Sequence, residues 1–359
     1  MNDPEYIGLD IHRKSISFCR KLADGSVVGE GRVPARIERL RKWAGDLPSP
    51  WIGGMEATIF TGWIYDALKP FAEDLKVGHP FAMTAIAKAK KKTDRTSAST
   101  IADLLRANLM PACFMLPPEL RELREMLRFR NLLVRQAVRM HNKCAGMLMV
   151  HGVPYETKRL DGKRYFAELV KAIGAAEPEM PGDLAPWGSL DHVPASLISL
   201  LQTSRSSYEF FEQAQKKLLA GLHQHPRIAE RVARLETIPG VGEVTALTWV
   251  LEIGPVERFS SIGKACSYCG LTAGQAESAE SVKRMPLSKQ RNAHLQTILV
   301  EAAKVAPIRN PMLREVAERE RERGHKNRAT IAVARKMVAY LMAVDKRQQP
   351  FQLEWEKAA

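Results

Sequence analysis

The chain has 359 residues, 45% of them apolar, and its 54 Lys and Arg residues outnumber 40 Asp and Glu residues to give a net charge of +14. This length and composition predict a folded protein of two or three domains. No apolar run approaches the roughly 20 residues of a membrane span, and the N-terminus lacks the charged and apolar regions of a signal peptide, which excludes a membrane partner and favours the cytoplasm. The positive charge favours a polyanionic partner, although many basic proteins do not bind nucleic acid.

The first third of the chain has the pattern of an α/β domain. Asp24 and Gly25 form a hairpin-turn signal between two short alternating segments, so three antiparallel strands are expected to open the domain. The predicted elements are strands at 5–10, 15–21 and 26–30, a helix around 37–43, a strand at 51–55, a helix at 63–68, a strand at 75–78 and a helix around 83–89. This order matches a ribonuclease-H-like fold.

Two acids stand at strand ends that such a fold brings together. Asp10 lies near the end of the first strand and Glu56 at the end of the fourth, while Asp94 is at or just before the first turn of a later helix. Taken singly, each acid has a structural explanation, and Asp94 could serve only as a helix N-cap. Taken together, the three acids predict a Mg²⁺ site, because this ion is usually held by one or two carboxylates with water and substrate phosphate.

The middle of the chain is predicted to be helical. Residues 119–150 contain no proline and one glycine, which predicts a helix roughly 48 Å long. Five arginines recur at helical spacing beside an apolar stripe: Arg121, Arg124, Arg128, Arg135 and Arg139. Their face either binds nucleic acid or is the solvated side of a packing helix. A second long helix over 194–223 has an apolar face with little nearby to cover it, so we expect helix pairing within the chain or in a homo-oligomer, as a dimer or tetramer.

A helix-hairpin-helix signature opens the C-terminal part of the chain. It places Gly240 and Gly242 in a turn that can present backbone N–H groups to phosphate, whereas the alternative is a plain turn between two helices. Further along, Ser278 lies in a polar segment that we expect to be a loop, followed by Lys283 and Arg284. Most serines in such loops have no chemical role, so the segment alone does not identify a nucleophile.

Seven short blocks along almost the whole chain share a definite order and spacing. They are Gly8-Leu-Asp10-Ile-His12, Met55-Glu56-Ala57, Lys91-Lys-Thr-Asp94-Arg95, Ile101-Ala-Asp-Leu-Leu-Arg106, Ile238-Pro-Gly-Val-Gly242, Lys289-Gln-Arg-Asn292 and Leu295-Gln-Thr-Ile-Leu-Val-Glu-Ala-Ala303. Together they resemble the DEDD-type insertion-sequence transposases of the IS-one-ten family. The order of the blocks is far more specific than any one of them.

The resemblance implies a recombinase that joins DNA to a serine. Counting without gaps from Gly270 to Asn292 places Ser278 at the family's catalytic serine, with Asp10, Glu56 and Asp94 as metal-binding acids. The resemblance also implies a guide (bridge) RNA that pairs with donor and target DNA. Four basic residues near the serine are suited to binding phosphate oxygens: Lys283, Arg284, Lys289 and Arg291.

The chain departs from the family pattern at two positions. The family has two acids three residues apart at the start of the fourth helix, and here Asp94 stands at the first of these positions and Ser97 at the second. A serine hydroxyl carries no charge, so weaker metal binding and reduced activity are expected. Ala279 stands where a glycine usually follows the catalytic serine, which stiffens that segment without removing the nucleophile.

Three functions are consistent with the sequence. The first is a transposase or site-specific recombinase acting through a phosphoserine, and the second is a ribonuclease-H-like, structure-selective nuclease in which Ser278 is inert. The third is a catalytically silent nucleic-acid scaffold. The expected domains are a RuvC-like domain at 1–118, long helices or a coiled coil at 119–225, and a mostly helical transposase domain at 226–359.

Overall fold

The computed structural model describes residues 3–86, 94–174, 190, 192–278, 281–324 and 326–352. The chain divides into two compact units, Met1–Glu119 and Leu120–Ala359. The first unit is built around a mixed sheet flanked by helices, and the second is helical apart from one two-stranded hairpin in its described part. A mixed α/β architecture with an N-terminal sheet is therefore confirmed.

A six-stranded sheet forms the centre of the first unit. Its strands are β1 (Glu5–Ile11), β2 (Ser15–Lys21), β3 (Val27–Pro34), β4 (Trp51–Glu56), β5 (Asp74–Gly78) and β6 (Ala112–Cys113). The spatial order is β3-β2-β1-β4-β5-β6. The first three strands are antiparallel, β4 runs parallel to β1, β5 runs parallel to β4, and β6 is antiparallel to β5. The prediction of three antiparallel opening strands is confirmed.

Helices cover both faces of this sheet, and successive residues of β1 alternate between the apolar clusters on the two faces. The helices are α1 (Ile37–Gly45), α2 (Thr61–Leu68), α3 (Pro80–Ile86) and α4 (Asp94–Arg106). Ile7, Leu9 and Ile11 are buried in a cluster with residues of α1 and α2. Tyr6, on the opposite face, packs against the apolar side of α4. This period of two is what a strand buried on both faces requires.

The helix α4 packs unusually close to β1. A Cβ atom built on Gly8 would overlap the carbonyl oxygen of Ala98, so only glycine is accommodated at this position. Farther along α4, the carboxylate of Asp103 accepts a hydrogen bond of 2.6 Å from Lys21, which pairs with Tyr6 near the start of β1. The helix therefore runs antiparallel to β1, and its first residue lies toward the carboxyl end of that strand.

The second unit contains nine α-helices in its described part and one hairpin. They are α5 (Pro118–Val150), α6 (Lys163–Gly174), α7 (Ser196–His223), α8 (Ala229–Glu236), α9 (Glu243–Ile253), α10 (Ile262–Tyr268), β7 (Ala273–Ser278), β8 (Ser281–Leu287), α11 (Ala293–Arg309), α12 (Pro311–Glu322) and α13 (Lys326–Arg347). The long helices predicted over 119–150 and 194–223 are confirmed as α5 and α7. Among the helices that the structure describes, none combines the length and hydropathy needed to cross a membrane.

Two apolar cores hold the second unit together. The larger core surrounds α9, which is buried on nearly every side, and includes residues of α8, α10, α11, α12 and α13. The smaller core joins the last turns of α5 to α6 and to the first turns of α7. Both long helices contribute to both cores, with Leu127 and Leu222 in the larger and Leu148 and Leu201 in the smaller. Part of the apolar face of α7 is thus covered within the chain.

Candidate active site

The carboxyl ends of β1 and β4 bring Asp10 and Glu56 together. These strands are parallel neighbours with Leu9 opposite Met55, so the next residue on each strand lies at the same edge of the sheet. Adjacent strands are about 4.8 Å apart. Asp10 is two residues beyond Gly8, and Gly8 faces α4, so the carboxylate of Asp10 belongs to the sheet face that α4 covers.

Both carboxylates are held by the sheet yet remain open to solvent. The side chain of Asp10 is 20% exposed, and its Oδ2 atom lies 3.4 Å from Nε2 of His12. Glu56 is half-buried as the last residue of β4. Two partly exposed carboxylates on adjacent strand ends are the hard oxygen donors that a divalent cation such as Mg²⁺ takes, together with water and a phosphate oxygen. The donor set therefore fits a divalent metal ion.

The start of α4 supplies the next two predicted positions. Asp94 is the first residue of α4, and Ala98, one helical turn later, is the residue that meets Gly8. The half-buried Ser97 lies in this same first turn. The side chain of Asp94 lies outside the described residues, and within those residues no three His, Cys, Asp or Glu side chains form a group suited to a metal. The structure thus brings two acids together and places the backbone of the third toward the same edge.

The segment that contains Ser278 is a hairpin, so the expectation of a loop is wrong for most of its length. In the backbone register of β7 and β8, Ser278 pairs with Ser281 and Ala276 pairs with Lys283. Ser278 is therefore the last residue of its strand, next to the connection between the strands. The side chains of Ser278, Lys283 and Arg284 lie outside the described residues. The alternation that would predict these strands is absent because their residues are mostly polar and small.

Hydrogen bonds anchor the base of this hairpin to the helical core. The side chain of Gln296 on α11 donates to the carbonyl oxygen of Gly270 at 2.6 Å. Arg335 on α13 donates to the carbonyl oxygen of Leu271 at 2.7 Å. Two elements of the larger core thus fix the chain immediately before β7, so the hairpin starts from a rigid support.

A buried carboxylate that the sequence did not single out lies beside this base. The side chain of Glu252 on α9 is fully buried and accepts two hydrogen bonds from Arg128 on α5, at 2.7 and 2.8 Å. It also accepts a hydrogen bond of 2.8 Å from Asn292, whose own side-chain oxygen caps the N-terminus of α11. Burial acts to raise the pKa of Glu252, but the hydrogen bonds from Arg128 and Asn292 outweigh it and hold the pKa below its ordinary value.

Replacing Glu252 with glutamine is expected to reduce the free energy of unfolding by roughly 2–4 kcal/mol, because it leaves the guanidinium of Arg128 without its counter-charge. A carboxylate with a depressed pKa stabilises the fold above its unfolded pKa, and this contribution is lost as the pH falls through the folded pKa. Urea unfolding should therefore show a large difference between wild type and Glu252→Gln at pH 7 that shrinks in acid. Glu257→Gln, at an exposed acid five residues later, is the control and should match wild type. Equal stability of all three proteins would contradict the assigned role.

The arginines of α5 divide into two groups. Arg121 and Arg124 are half-buried and Arg128 is engaged with Glu252, whereas Arg135 and Arg139 are exposed. Only part of the predicted basic face is thus open to a ligand without disturbing internal contacts. Its binding to nucleic acid stays a prediction.

The glycines of the predicted helix-hairpin-helix turn have different surroundings. Gly240 has a φ of +96°, and a Cβ atom there would lie 2.7 Å from Cβ of Ala306, so packing against α11 requires glycine. Gly242 is exposed, with open space around it, and directly precedes α9. Lys289 and Arg291, which follow the hairpin, are also exposed. The surface available to a phosphate backbone therefore includes Gly242 and not the packed side of Gly240.

Sequence comparison assigns both units to one class of protein. Residues 7–151, which contain the acid pair and α4, match the DEDD-type transposase profile of IS110, and residues 232–318, which contain Ser278, match the profile described as the transposase IS116/IS110/IS902 family. Together the two profiles cover more than half of the chain. The protein is a DNA transposase of the DEDD class. It belongs to the IS110 family of insertion-sequence transposases.

Two relatives named as transposases match most of the chain, and a third with a different name matches about a third of it. The putative transposase y4qE of Sinorhizobium fredii is 25% identical over 308 residues, which cover 83% of this chain and 70% of that protein. The transposase for insertion sequence element IS1111A of Coxiella burnetii is 25% identical over 270 residues, covering 72% and 68%. The pilin gene-inverting protein of Moraxella bovis is 28% identical over 129 residues, covering 35% and 40%. The DEDD class suggests dependence on a divalent metal ion, in agreement with the carboxylate pair.

Proposed function

We propose that the chain cuts and rejoins DNA as the recombinase of an insertion sequence, through a covalent link between Ser278 and a DNA phosphate. The observation that carries the proposal is the placement of Asp10 and Glu56 on adjacent parallel strand ends, on the sheet face that α4 covers. The strand order β3-β2-β1-β4-β5 supports a ribonuclease-H-like, RuvC-like first domain. Asp10, Glu56 and Asp94 would hold Mg²⁺, with Ser97 offering a neutral oxygen at the fourth position of the family pattern.

The acids and the serine have separate tasks in this proposal. Mg²⁺, when bound, supplies positive charge to the scissile phosphate and makes a neighbouring hydroxyl easier to deprotonate. The hydroxyl oxygen of Ser278 attacks the phosphorus atom, its proton passes to solvent, and the leaving strand departs with a free hydroxyl end. A phosphoserine ester replaces the phosphodiester, so the bond is conserved without an external energy source. Attack of a strand's hydroxyl end on that ester then restores a phosphodiester and releases the serine.

The name of one relative favours rejoining of DNA over simple hydrolysis. The name of the Moraxella bovis relative describes gene inversion, which requires each cut strand to be joined again. A nuclease that only hydrolyses DNA does not require a serine nucleophile. The proposal therefore ranks recombination above metal-dependent nicking and above a silent scaffold.

The proposed partners are donor and target DNA, a noncoding bridge RNA and further copies of the chain. Exposed basic residues of the second unit suit the phosphates of either nucleic acid: Arg135, Arg139, Lys289 and Arg291. Base pairing by the RNA would choose the sites, which leaves backbone contacts to the protein. We propose a cytoplasmic dimer or tetramer, since strand exchange needs two DNA duplexes held together.

Reconstitution tests this function. The purified chain is mixed with Mg²⁺, DNA carrying the element's own ends, a target DNA, and the transcript of the noncoding DNA that flanks the coding region. Joined donor–target product that requires the transcript supports the proposal. Nicked DNA without joined product would favour the nuclease, and binding without either would favour the scaffold.

The departure at position 97 gives a separate prediction. Ser97→Asp should lower the Mg²⁺ concentration needed for half-maximal cleavage and raise the maximal rate, because it adds an anionic ligand in the first turn of α4. Thr96→Asp, at the exposed neighbouring position, adds the same charge in a different direction and is the control. If Mg²⁺ titrations of Ser97→Asp and wild type coincide, Ser97 lies outside the metal site.

A further inference from the structure

The edge of the first unit's sheet that carries the partly exposed Asp10 and Glu56 also carries exposed cationic and exposed apolar side chains. We call it the carboxyl edge and define it by Arg13, Lys14, Arg36, Asp10, Glu56, Ile59 and Phe81. The cations lie at the ends of β1 and β3, on the β2 side of the acid pair, and the apolar residues follow β4 and β5 on the other side. The acids thus stand between a cationic flank and an apolar flank.

The cationic flank is held together by the backbone. Arg13 and Lys14 occupy the turn between β1 and β2, and both are exposed. The amide of Ala35 donates to the carbonyl oxygen of Lys14 at 3.0 Å, which joins this turn to the end of β3, where the exposed Arg36 precedes α1. None of the three cations forms an ion pair within the described part of the chain. Their charges are therefore available to a phosphate backbone.

The apolar flank is displayed on a turn that its own hydrogen bonds hold rigid. Thr58 donates its amide to Oγ1 of Thr61 at 2.7 Å, and the amide of Phe60 donates to Oγ1 of Thr58 at 3.2 Å. The hydroxyl of Thr61 in turn donates to the carbonyl oxygen of Glu56 at 3.4 Å, so the turn is tied to the end of β4. At the tip, three residues after Glu56, Ile59 is 92% exposed.

A second exposed apolar side chain follows the neighbouring strand. The amide of Ala57 donates to the carbonyl oxygen of Gly78 at 3.0 Å, which places the turn after β4 beside the turn after β5. Phe81, in the first turn of α3, is 61% exposed. Isolated apolar residues on a surface need no explanation. Here two of them adjoin the acid pair, Ile59 on the hydrogen-bonded turn and Phe81 in the first turn of a helix. A ligand with apolar faces would fit this position.

We infer that the carboxyl edge holds a locally unpaired DNA strand, with its phosphates toward the cationic flank and the acids and its bases against Ile59 and Phe81. The inference rests on the proposed function, in which the scissile phosphate binds at Asp10 and Glu56. Bases of an unpaired strand expose the faces on which aromatic and apolar side chains stack or wedge, whereas a duplex hides them. Strand exchange requires the cut strand to leave its partner, so unpairing beside the cut is part of the reaction.

The first test compares paired and unpaired substrates. The full-length double variant Ile59→Ser with Phe81→Ser should cleave fully paired DNA roughly tenfold more slowly than wild type, because two base contacts are lost. Mismatches next to the scissile phosphate should restore its rate to within about twofold, since the unpairing is then already made. Val27→Ser is the control, because Val27 is 52% exposed but lies at the start of β3, the opposite end of the sheet. An equal loss on both substrates, or no loss on either, would overturn the inference.

The second test identifies the occupant directly. The photocrosslinking residue p-benzoylphenylalanine is placed at position 59 or, as control, at position 27 of the full-length chain, which is then irradiated with labelled DNA and the flanking transcript. Crosslinks from position 59 to DNA, absent from position 27, are expected. Crosslinks to RNA or to a second copy of the chain would overturn the inference. Neither crosslinking result depends on Ser278, so failure of the phosphoserine mechanism would be seen separately, as cleavage without an adduct.

Discussion

Alanine in place of Asp10 or of Glu56 is expected to abolish DNA strand cleavage while leaving the fold nearly intact. The two carboxylates lie together at the carboxyl ends of β1 and β4, partly exposed, and outside the apolar clusters of the first unit. In the proposed function each carboxylate is a metal ligand, and metal-ion stabilisation of a phosphate contributes several kcal/mol to the transition state, so a rate decrease of about 10³-fold or more is expected. Cleavage of labelled DNA in Mg²⁺ and thermal unfolding measure the two properties.

A substitution at another acid of the same sheet distinguishes loss of the site from a general effect of removing a negative charge. Glu73 is exposed and directly precedes β5, at the opposite edge of the same sheet. Glu73→Ala should cleave DNA at the wild-type rate. If both Asp10→Ala and Glu56→Ala retain cleavage, the metal site has been assigned to the wrong residues, and a lowered melting temperature in either variant would indicate a structural role instead.

The Ser278→Ala variant is expected to lose the covalent protein–DNA adduct completely while still binding DNA. Ser278 ends β7 next to the connection between the two strands, and the basic residues beyond the hairpin are unaffected by loss of one hydroxyl. Denatured reactions with a nicked or suicide substrate should show DNA attached to the peptide that spans Gly270 to Lys283 in wild type only. Gel electrophoresis and peptide mapping detect the attachment.

Ser281 provides the control for this assignment. It is the register partner of Ser278 on β8 and offers the same functional group three residues later. Ser281→Ala should keep the adduct. An adduct mapped to Ser281, or cleavage by Ser278→Ala at the wild-type rate, would remove Ser278 from the mechanism and favour metal-dependent cleavage by the acids alone.

Most of the first unit could be predicted because its residues combine local turn signals with burial patterns. The alternation of residues 15–21 and the Asp24-Gly25 turn specify a hairpin within a few residues, and the observed β2 and β3 agree. The two-residue strand β6 was missed because Ala112 and Cys113 pair with β5 through contacts more than 30 positions away. A strand that short has no periodicity to detect.

Of the candidate site, the sequence could predict only which strand ends lie side by side. The ends of β1 and β4 meet because parallel strands share an edge, so Asp10 and Glu56 follow from the topology. The contact between Arg128 and Glu252 joins residues 124 positions apart, and nothing in the periodicity of α5 distinguishes an arginine that pairs internally from one that faces solvent. The hairpin that carries Ser278 was expected as a loop because its polar residues give no alternation between buried and exposed positions.

Because α4 packs so close to β1, folding and transposition are expected to restrict different residues of this strand. In a saturation library scored for folded protein, Ile7, Leu9 and Ile11 should tolerate only other apolar residues, and Gly8 should tolerate none, because the backbone of Ala98 occupies the space that any side chain would need. Position 10 should accept many residues in that screen. Scored for transposition, the same library should keep only aspartate at position 10, so the two tolerance profiles along β1 should diverge at a single residue.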